Sequence, residues 1–246
     1  MMAGMSETTL ALVGLSVAFA AMTQSASGFG FSLVFVPIVS VLAGPKVAVV
    51  AASTLGPLLT LSVAITERRH IRREMVLLLA GAGVLGMPLG LWVLTHVAGR
   101  TLELIIGAVV IALTTALFFG VTLPDRWTVD TVAGLASGVL ATSTGTNGPP
   151  VVLALQARRI PPREMRATLS AVFLLQAGLA LVAFAATGQV TARVGEVVAV
   201  GLPGLILGRL MGDRVFGRLD ERRYGGVVLI LLFLAGALAL IEAAIR

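Results

Sequence analysis

Thr23-Gln24-Ser25-Ala26-Ser27-Gly28-Phe29-Gly30-Phe31 is a polar, glycine-punctuated break in a run that carries no charge from Thr8 to Pro45. As one helix that run would be about 57 Å long at ~1.5 Å per residue, against a hydrocarbon core of about 30 Å. Divided at Gln24–Gly28 it gives pieces of roughly 16 and 14 residues, each shorter than the ~20 that cross a bilayer. Short paired segments around a polar tip predict a re-entrant hairpin or broken helices. Inside a membrane such a tip frees backbone groups, which must find partners in protein, water or ligand.

Composition puts the break in a membrane. Of 246 residues, 57% are hydrophobic and 12% charged, with a mean hydropathy of +1.01. An average soluble domain carries about 25% charged residues. The chain therefore reads as a single all-α integral membrane domain, residues 1–246. Cysteine is absent, so there is no disulfide framework or thiolate metal site. The net charge of +6 does not point to nucleic acid, because aromatics are sparse and the arginines sit in loops between apolar segments. Positive-inside bias accounts for them, with the lipid bilayer as the partner. Only Glu7 precedes the first apolar run and no basic residue does, so the start is not expected to act as a secretory signal.

Working outward, Val47–Thr66 predicts a full span, stopped by Glu67-Arg68-Arg69-His70-Ile71-Arg72-Arg73-Glu74. Met75–Val97 and Leu102–Leu123 predict two more, with Gly99-Arg100 between them. A connector containing Trp127 follows. Asp130 to Arg158 then encloses another uncharged run, broken at Thr142-Ser143-Thr144-Gly145-Thr146-Asn147-Gly148-Pro149-Pro150. Ala167–Thr187, Val194–Leu207 with its flanks, and Tyr224–Ile245 predict the remaining spans.

The halves repeat, over 8–123 and 129–245. Gly28 matches Gly148, and Pro45-Lys46 matches Pro162-Arg163. Gly86-x-x-x-Gly90 matches Gly204-x-x-x-Gly208, and one constant separation also pairs Gly99-Arg100 with Gly217-Arg218, Glu103 with Glu221, and Gly107 with Gly225. With Arg68–Arg73 in the cytoplasm, two spans return the chain there, and the basic loop Arg158–Arg166 belongs there too. Residues 131–157 must then enter and leave on one side. This arrangement puts all but Lys46, Arg100, Arg193 and Arg246 of the 18 Lys and Arg inside, with both termini outside. Each repeat is thus expected to be a broken or re-entrant hairpin plus three transmembrane helices, the second inverted relative to the first. Secondary transporters are built this way, with broken helices at the pseudo-two-fold.

Chemically, the breaks offer hydroxyls, amides and freed backbone. The expected substrate-binding residues are Gln24, Ser25, Ser27, Gly28, Phe29 and Gly30 in the first break. In the second they are Ser143, Thr144, Thr146, Asn147, Gly148 and Pro149. Helix N-termini aimed inward would add N–H donors and partial positive charge, which suit an anion. The competing reading is polar residues bonding one another across a tight helix crossing. Ser53, Ser170 and Gln176 lie in flanking spans and are open to either ligand contact or packing. Arg209, the most span-embedded charge, either snorkels to the surface or attracts anions to an inner vestibule. The GxxxG motifs are expected to be close-packing seams. No acidic residue is expected at a bilayer midplane, and His70 and His96 lie apart in loops. No catalytic residues, metal or cofactor are expected, and the chain does not read as an enzyme.

Gly28-Phe29-Gly30-Phe31 with Pro37 downstream, Thr144–Pro150, Pro161-Pro162-Arg163-Glu164-Met165-Arg166-Ala167-Thr168 and Pro203-Gly204-Leu205-Ile206-Leu207-Gly208-Arg209 together resemble the TauE/SafE sulfite-exporter family (TSUP). The likeness runs from about Ala11 to Ile241. It implies a multi-pass transporter in the cytoplasmic membrane of a prokaryote, for sulfite or organosulfonate anions such as sulfoacetate. The first break departs from the glycine-rich GxGGG-like stretch often found in the family, being bulkier and more hydroxylated. The expected function is an alternating-access carrier, most naturally an exporter, holding a small sulfur-containing anion between the two tips. An anion channel of the same architecture and a non-transporting membrane scaffold are the alternatives. The protein is expected as a monomer or a homodimer.

Overall fold

The structure, a computed structural model, describes residues 5–120 and 123–216. The expected last span, Tyr224–Ile245, lies outside them, as do Gly217-Arg218, Glu221, Gly225 and Arg246 of the repeat and topology arguments. The described chain is helical: α1 (Glu7–Ser27), α2 (Phe31–Ala43), α3 (Pro45–Thr66), α4 (Arg73–His96), α5 (Gly99–Phe118), α6 (Trp127–Ser143), α7 (Gly148–Ala157), α8 (Pro162–Ala186) and α9 (Ala192–Phe216), with a 3₁₀ turn at Arg68–His70. Helices α1, α3, α4, α5, α8 and α9 are each long and apolar enough to cross a membrane. Large apolar side chains stand exposed on their outer faces, among them Leu77, Leu85 and Leu89 of α4, Val182 of α8 and Ile206 of α9. A soluble surface does not sustain such a belt, whereas lipid covers it.

The first break falls later than the composition of the stretch suggests. Helix α1 runs for 21 residues, to Ser27, so Thr23, Gln24 and Ser25 are its last turns and not a loop. Nothing in Thr23–Ser27 forbids a helix, and the Thr23 hydroxyl is satisfied within it by the Phe19 carbonyl. The chain leaves the helix where φ first turns positive, at Gly28 (79°) and again at Gly30 (102°). There a side chain would be strained. Helix α2 starts immediately after and has 13 residues. The second break is the four residues between α6, with 17 residues, and α7, with 10. Gly145, with φ 68°, turns the chain there. Gly145 thus shares a positive φ with Gly28, whereas Gly148, paired with Gly28 in the sequence, does not have one.

Three packed pairs dominate: α4 on α6, α1 on α9 and α3 on α8. The two GxxxG motifs make the first two. A Cβ on Gly86 would fall on the Leu135 carbonyl oxygen and one on Gly90 on that of Val139. On α9, a Cβ at Gly204 would meet the Gly14 carbonyl and one at Gly208 that of Ala18. Backbone approach this close is how membrane helices gain dispersion contact where lipid removes any hydrophobic drive.

Charge pairs gather at one end. Arg158 Nε donates to Asp130 Oδ2 at 3.0 Å, and its NH1 reaches Asp125 at 3.0 Å. Arg163 bridges to Glu67 at 2.8 Å and Arg72 to Glu164 at 2.5 Å. The first pair joins the start of α6 to the end of α7. The start of α6 and the end of α7 therefore lie together at one end of the bundle. At the other end Lys46 Nζ donates to the Thr95 carbonyl at 3.1 Å.

Candidate functional site

The two tips meet. The ring of Phe29, from the first break, faces the α-carbon of Gly148, from the second, and Phe173 of α8 closes on the same glycine. Phe29 also packs against both apolar clusters of the interior.

Beside this junction lies a cavity of about 50 Å³. One water needs roughly 10–15 Å³ of such space, so the cavity has room for a few heavy atoms. Its floor is the first turn of α2, Gly30–Leu33, whose N–H groups have no carbonyl earlier in the helix to bond. Ser53, Gly56, Pro57 and Thr60 of α3 form one wall, and Thr146, Asn147 and Gly148 another; Gln24 closes one end. Among the described residues no charged one lines it. Pro57 lacks an N–H, so the Ser53 carbonyl loses its helical partner at the cavity wall.

The tips differ as donors. Helix α7 begins Gly148-Pro149-Pro150, and proline has no N–H to offer. The expected pair of donor-rich helix ends is thus only half present: α2 supplies main-chain N–H groups, while the second tip relies on Thr146 and Asn147. Behind Asn147, Gln176 is fully buried. Its Oε1 accepts from Asn147 Nδ2 at 2.7 Å and from Ser137 Oγ at 2.9 Å. Its own Nε2 is buried without a partner.

A second cavity, of about 30 Å³, adjoins the first through Gln24 and Thr60, which line both. Ser25, Gly28, Arg166, Ser170 and Arg209, with the apolar Leu59 and Val63 of α3, complete its walls.

A family model, "Sulfite exporter TauE/SafE", matches residues 13–239. The chain belongs to the TauE/SafE family. It is 30% identical over 240 residues, covering 92% of this chain and 93% of the relative, to the "Probable sulfite/organosulfonate exporter TauE" of Cupriavidus necator. No solved structure matches. The protein is thus a multi-pass membrane protein of a transporter family.

Of the residues singled out in the sequence, this TauE/SafE structure brings Gly30, Ser53, Thr146, Asn147 and Gly148 to the first cavity, Ser25, Gly28, Ser170 and Arg209 to the second, and Gln24 to both. Gln176 stands one layer behind. Four expected residues line neither cavity. Phe29 packs against Gly148 beside the first cavity instead. Ser143 donates back to the Val139 carbonyl at 2.7 Å, Thr144 is paired with Thr146 at 2.7 Å, and Pro149 is buried in α7. Ser143 and Thr144 thus bond locally, within their own helix and break, and not across a helix crossing. The Ser27 side chain lies outside the described residues. Sequence reasoning missed Ser32, Thr60 and Arg166 as lining residues. Ser32 was legible as the second residue after Gly30, inside a first helical turn. Thr60 and Arg166 carried no local signal, since only tertiary packing turns them inward.

Proposed function

We propose that the first cavity is the substrate site of an alternating-access carrier for small sulfur oxyanions, and that the protein exports them across the cytoplasmic membrane of a prokaryote. The observation that carries this reading is a cavity where both tips converge, supplied with donors and, among the described residues, free of carboxylates. Sulfite and sulfonates share an SO₃ head that only accepts hydrogen bonds. The α2 N–H groups and the hydroxyls of Ser32 and Thr146 match it, and the positive end of the α2 dipole favours its charge. The name of the Cupriavidus relative supports the same substrate class.

Asn147 acts as a donor if its carboxamide and that of Gln176 are both turned by half a revolution, which exchanges oxygen and nitrogen. Gln176 Nε2 then donates to Ser137 Oγ and Asn147 Oδ1, removing the buried N–H that otherwise lacks a partner. The Asn147 NH₂ is left to the cavity. A fixed cation is unnecessary, and its absence favours release. An inside-negative potential drives one negative charge outward by about 2.3 kcal/mol per 100 mV.

The carrier reading rests on the inverted repeat, and contacts recur between the halves at matching positions. Gly86 and Gly90 of α4 seat on α6 as Gly204 and Gly208 of α9 seat on α1. Gly28 packs on Arg166, and Gly145 on Val49, positions related by the separation that pairs Pro45-Lys46 with Pro162-Arg163. The ion-paired end, with Arg72, Arg158 and Arg163, is the cytoplasmic one by the positive-inside rule, leaving both termini outside.

The test is flux of sulfite and sulfoacetate in proteoliposomes of the native protein and Asn147→Asp. The variant keeps the shape but opposes an anion with a carboxylate. Uptake and counterflow exchange should fall at least 100-fold, an effect of about 3 kcal/mol. Undiminished exchange in the variant, or no exchange of either anion by the native protein, would sink the assignment.

A further inference from the structure

We propose that Arg166 and Arg209 form a second anion site, a loading station that holds the SO₃ head at the basic end before it passes Gln24 and Thr60 into the inner cavity. The proposal rests on the carrier reading above and adds to it a direction of loading.

The station is built from four elements. Arg209 comes from α9 and is half-buried, while Arg166 comes from the first turns of α8 and is exposed. Their cavity also takes Gln24 and Ser25 from α1 and Thr60 from α3. The Arg166 stem lies across Gly28, its Cγ 3.1 Å from where a Cβ would be. A side chain at Gly28 would displace it. Among the described residues neither guanidinium is in an ion pair, whereas Arg72, Arg158 and Arg163 nearby are all bridged to carboxylates. Two arginines with no ion-pair partner among the described residues, beside hydroxyl and amide donors, make a site for an acceptor-only anion.

The site exists on one side only. The repeat positions of Arg166 and Arg209 are Val49 and Leu91, and both belong to or pack on the same apolar cluster. Gln24 and Ser25 belong to the extra turn by which α1, with 21 residues, exceeds α6, with 17. The pseudo-two-fold thus relates a cationic antechamber at the basic end to an apolar cluster at the other. An anion is concentrated at the first, and the two corresponding positions at the second, Val49 and Leu91, carry no cation.

Sided vesicles, right-side-out and inside-out, separate loading from the two faces, using sulfite as the probe. Arg166→Gln and Arg209→Gln should each raise KM from the basic face about tenfold, the size of one charge-assisted hydrogen bond. KM from the opposite face should not change, and Lys at either position should restore part of the loss. In the native protein, KM should rise with ionic strength on the basic face alone. Equal salt dependence on the two faces, or an unchanged KM in both Gln variants, overturns the station. The inner site can still stand in that case, because Asn147→Asp tests it separately. If the native protein moves no sulfite, thermal stabilisation by sulfite decides. Its loss in Arg166→Gln/Arg209→Gln but not in Asn147→Asp supports the station, and its survival in the double Arg variant overturns it.

Discussion

Glu67 links the loop after α3 to the start of α8, accepting from Arg163 Nε at 2.8 Å. That hydrogen bond, against some desolvation and with help from the charges of Arg163, His70 and Arg166, holds its carboxyl below the ordinary glutamate value of 4.5. A depressed carboxylate stabilises the fold above its unfolded pKa, and the contribution is lost as pH falls through the folded value. Between pH 7 and 5 the thermal midpoints of native protein and Glu67→Gln should run parallel. Below about pH 4.5 the native midpoint should fall toward that of the variant, as scanning fluorimetry in detergent would record. Parallel curves down to pH 3 would contradict the assignment. Arg158 contrasts with it. The hydrogen bond it donates to Asp130 raises its pKa above an already high ordinary value, so the clasp on the α6–α7 hairpin does not release through loss of the arginine's charge. Asn147 was legible as a polar residue in a break, but its partner Gln176 was legible only as a polar residue somewhere in a span. A side chain's second layer depends on which helices cross behind it, and no local pattern records that.

At the scale of the helix, the seam between α4 and α6 tests whether glycine is there for space. A Cβ at Gly90 would fall on the Val139 carbonyl, whereas Gly81 in the same helix meets nothing within 4 Å. Gly90→Ala should therefore cost about 1–3 kcal/mol, as overpacking does. Gly81→Ala should be neutral or slightly stabilising, because alanine has the better helix propensity. Thermal midpoints of the two variants in one detergent decide it, and equal midpoints would remove the close-packing account. The ends of α1 show the limit of composition as a guide. Ser, Thr and Gln read as a loop, yet within a helix they bond the preceding turn, and only Gly28 compels the chain to leave. The extra turn that results is what carries Gln24 and Ser25 to the second cavity.

For the molecule as a whole, the topology prediction concerns which ends face which compartment. With no native cysteine, single cysteines at exposed Arg163 and exposed Arg100 can be labelled cleanly with an impermeant maleimide. Arg163→Cys should react only in inside-out vesicles and Arg100→Cys only in right-side-out ones. Labelling of both from one side would overturn the orientation. The sequence alone determined that the protein is helical, spans a membrane, breaks twice and resembles TauE/SafE. Length against bilayer thickness, charge exclusion from lipid and the glycine positions are one-dimensional quantities, readable without a fold. Tertiary structure decided which polar residues face a cavity and which bond their own helix, that the second break turns at Gly145 and not at Gly148, and that Arg166 joins Arg209 beside the first tip. Those outcomes depend on the rotation of each helix about its axis and on the crossing it meets. Rotation is fixed by close contacts such as those at Gly86 and Gly204, between residues far apart in the chain.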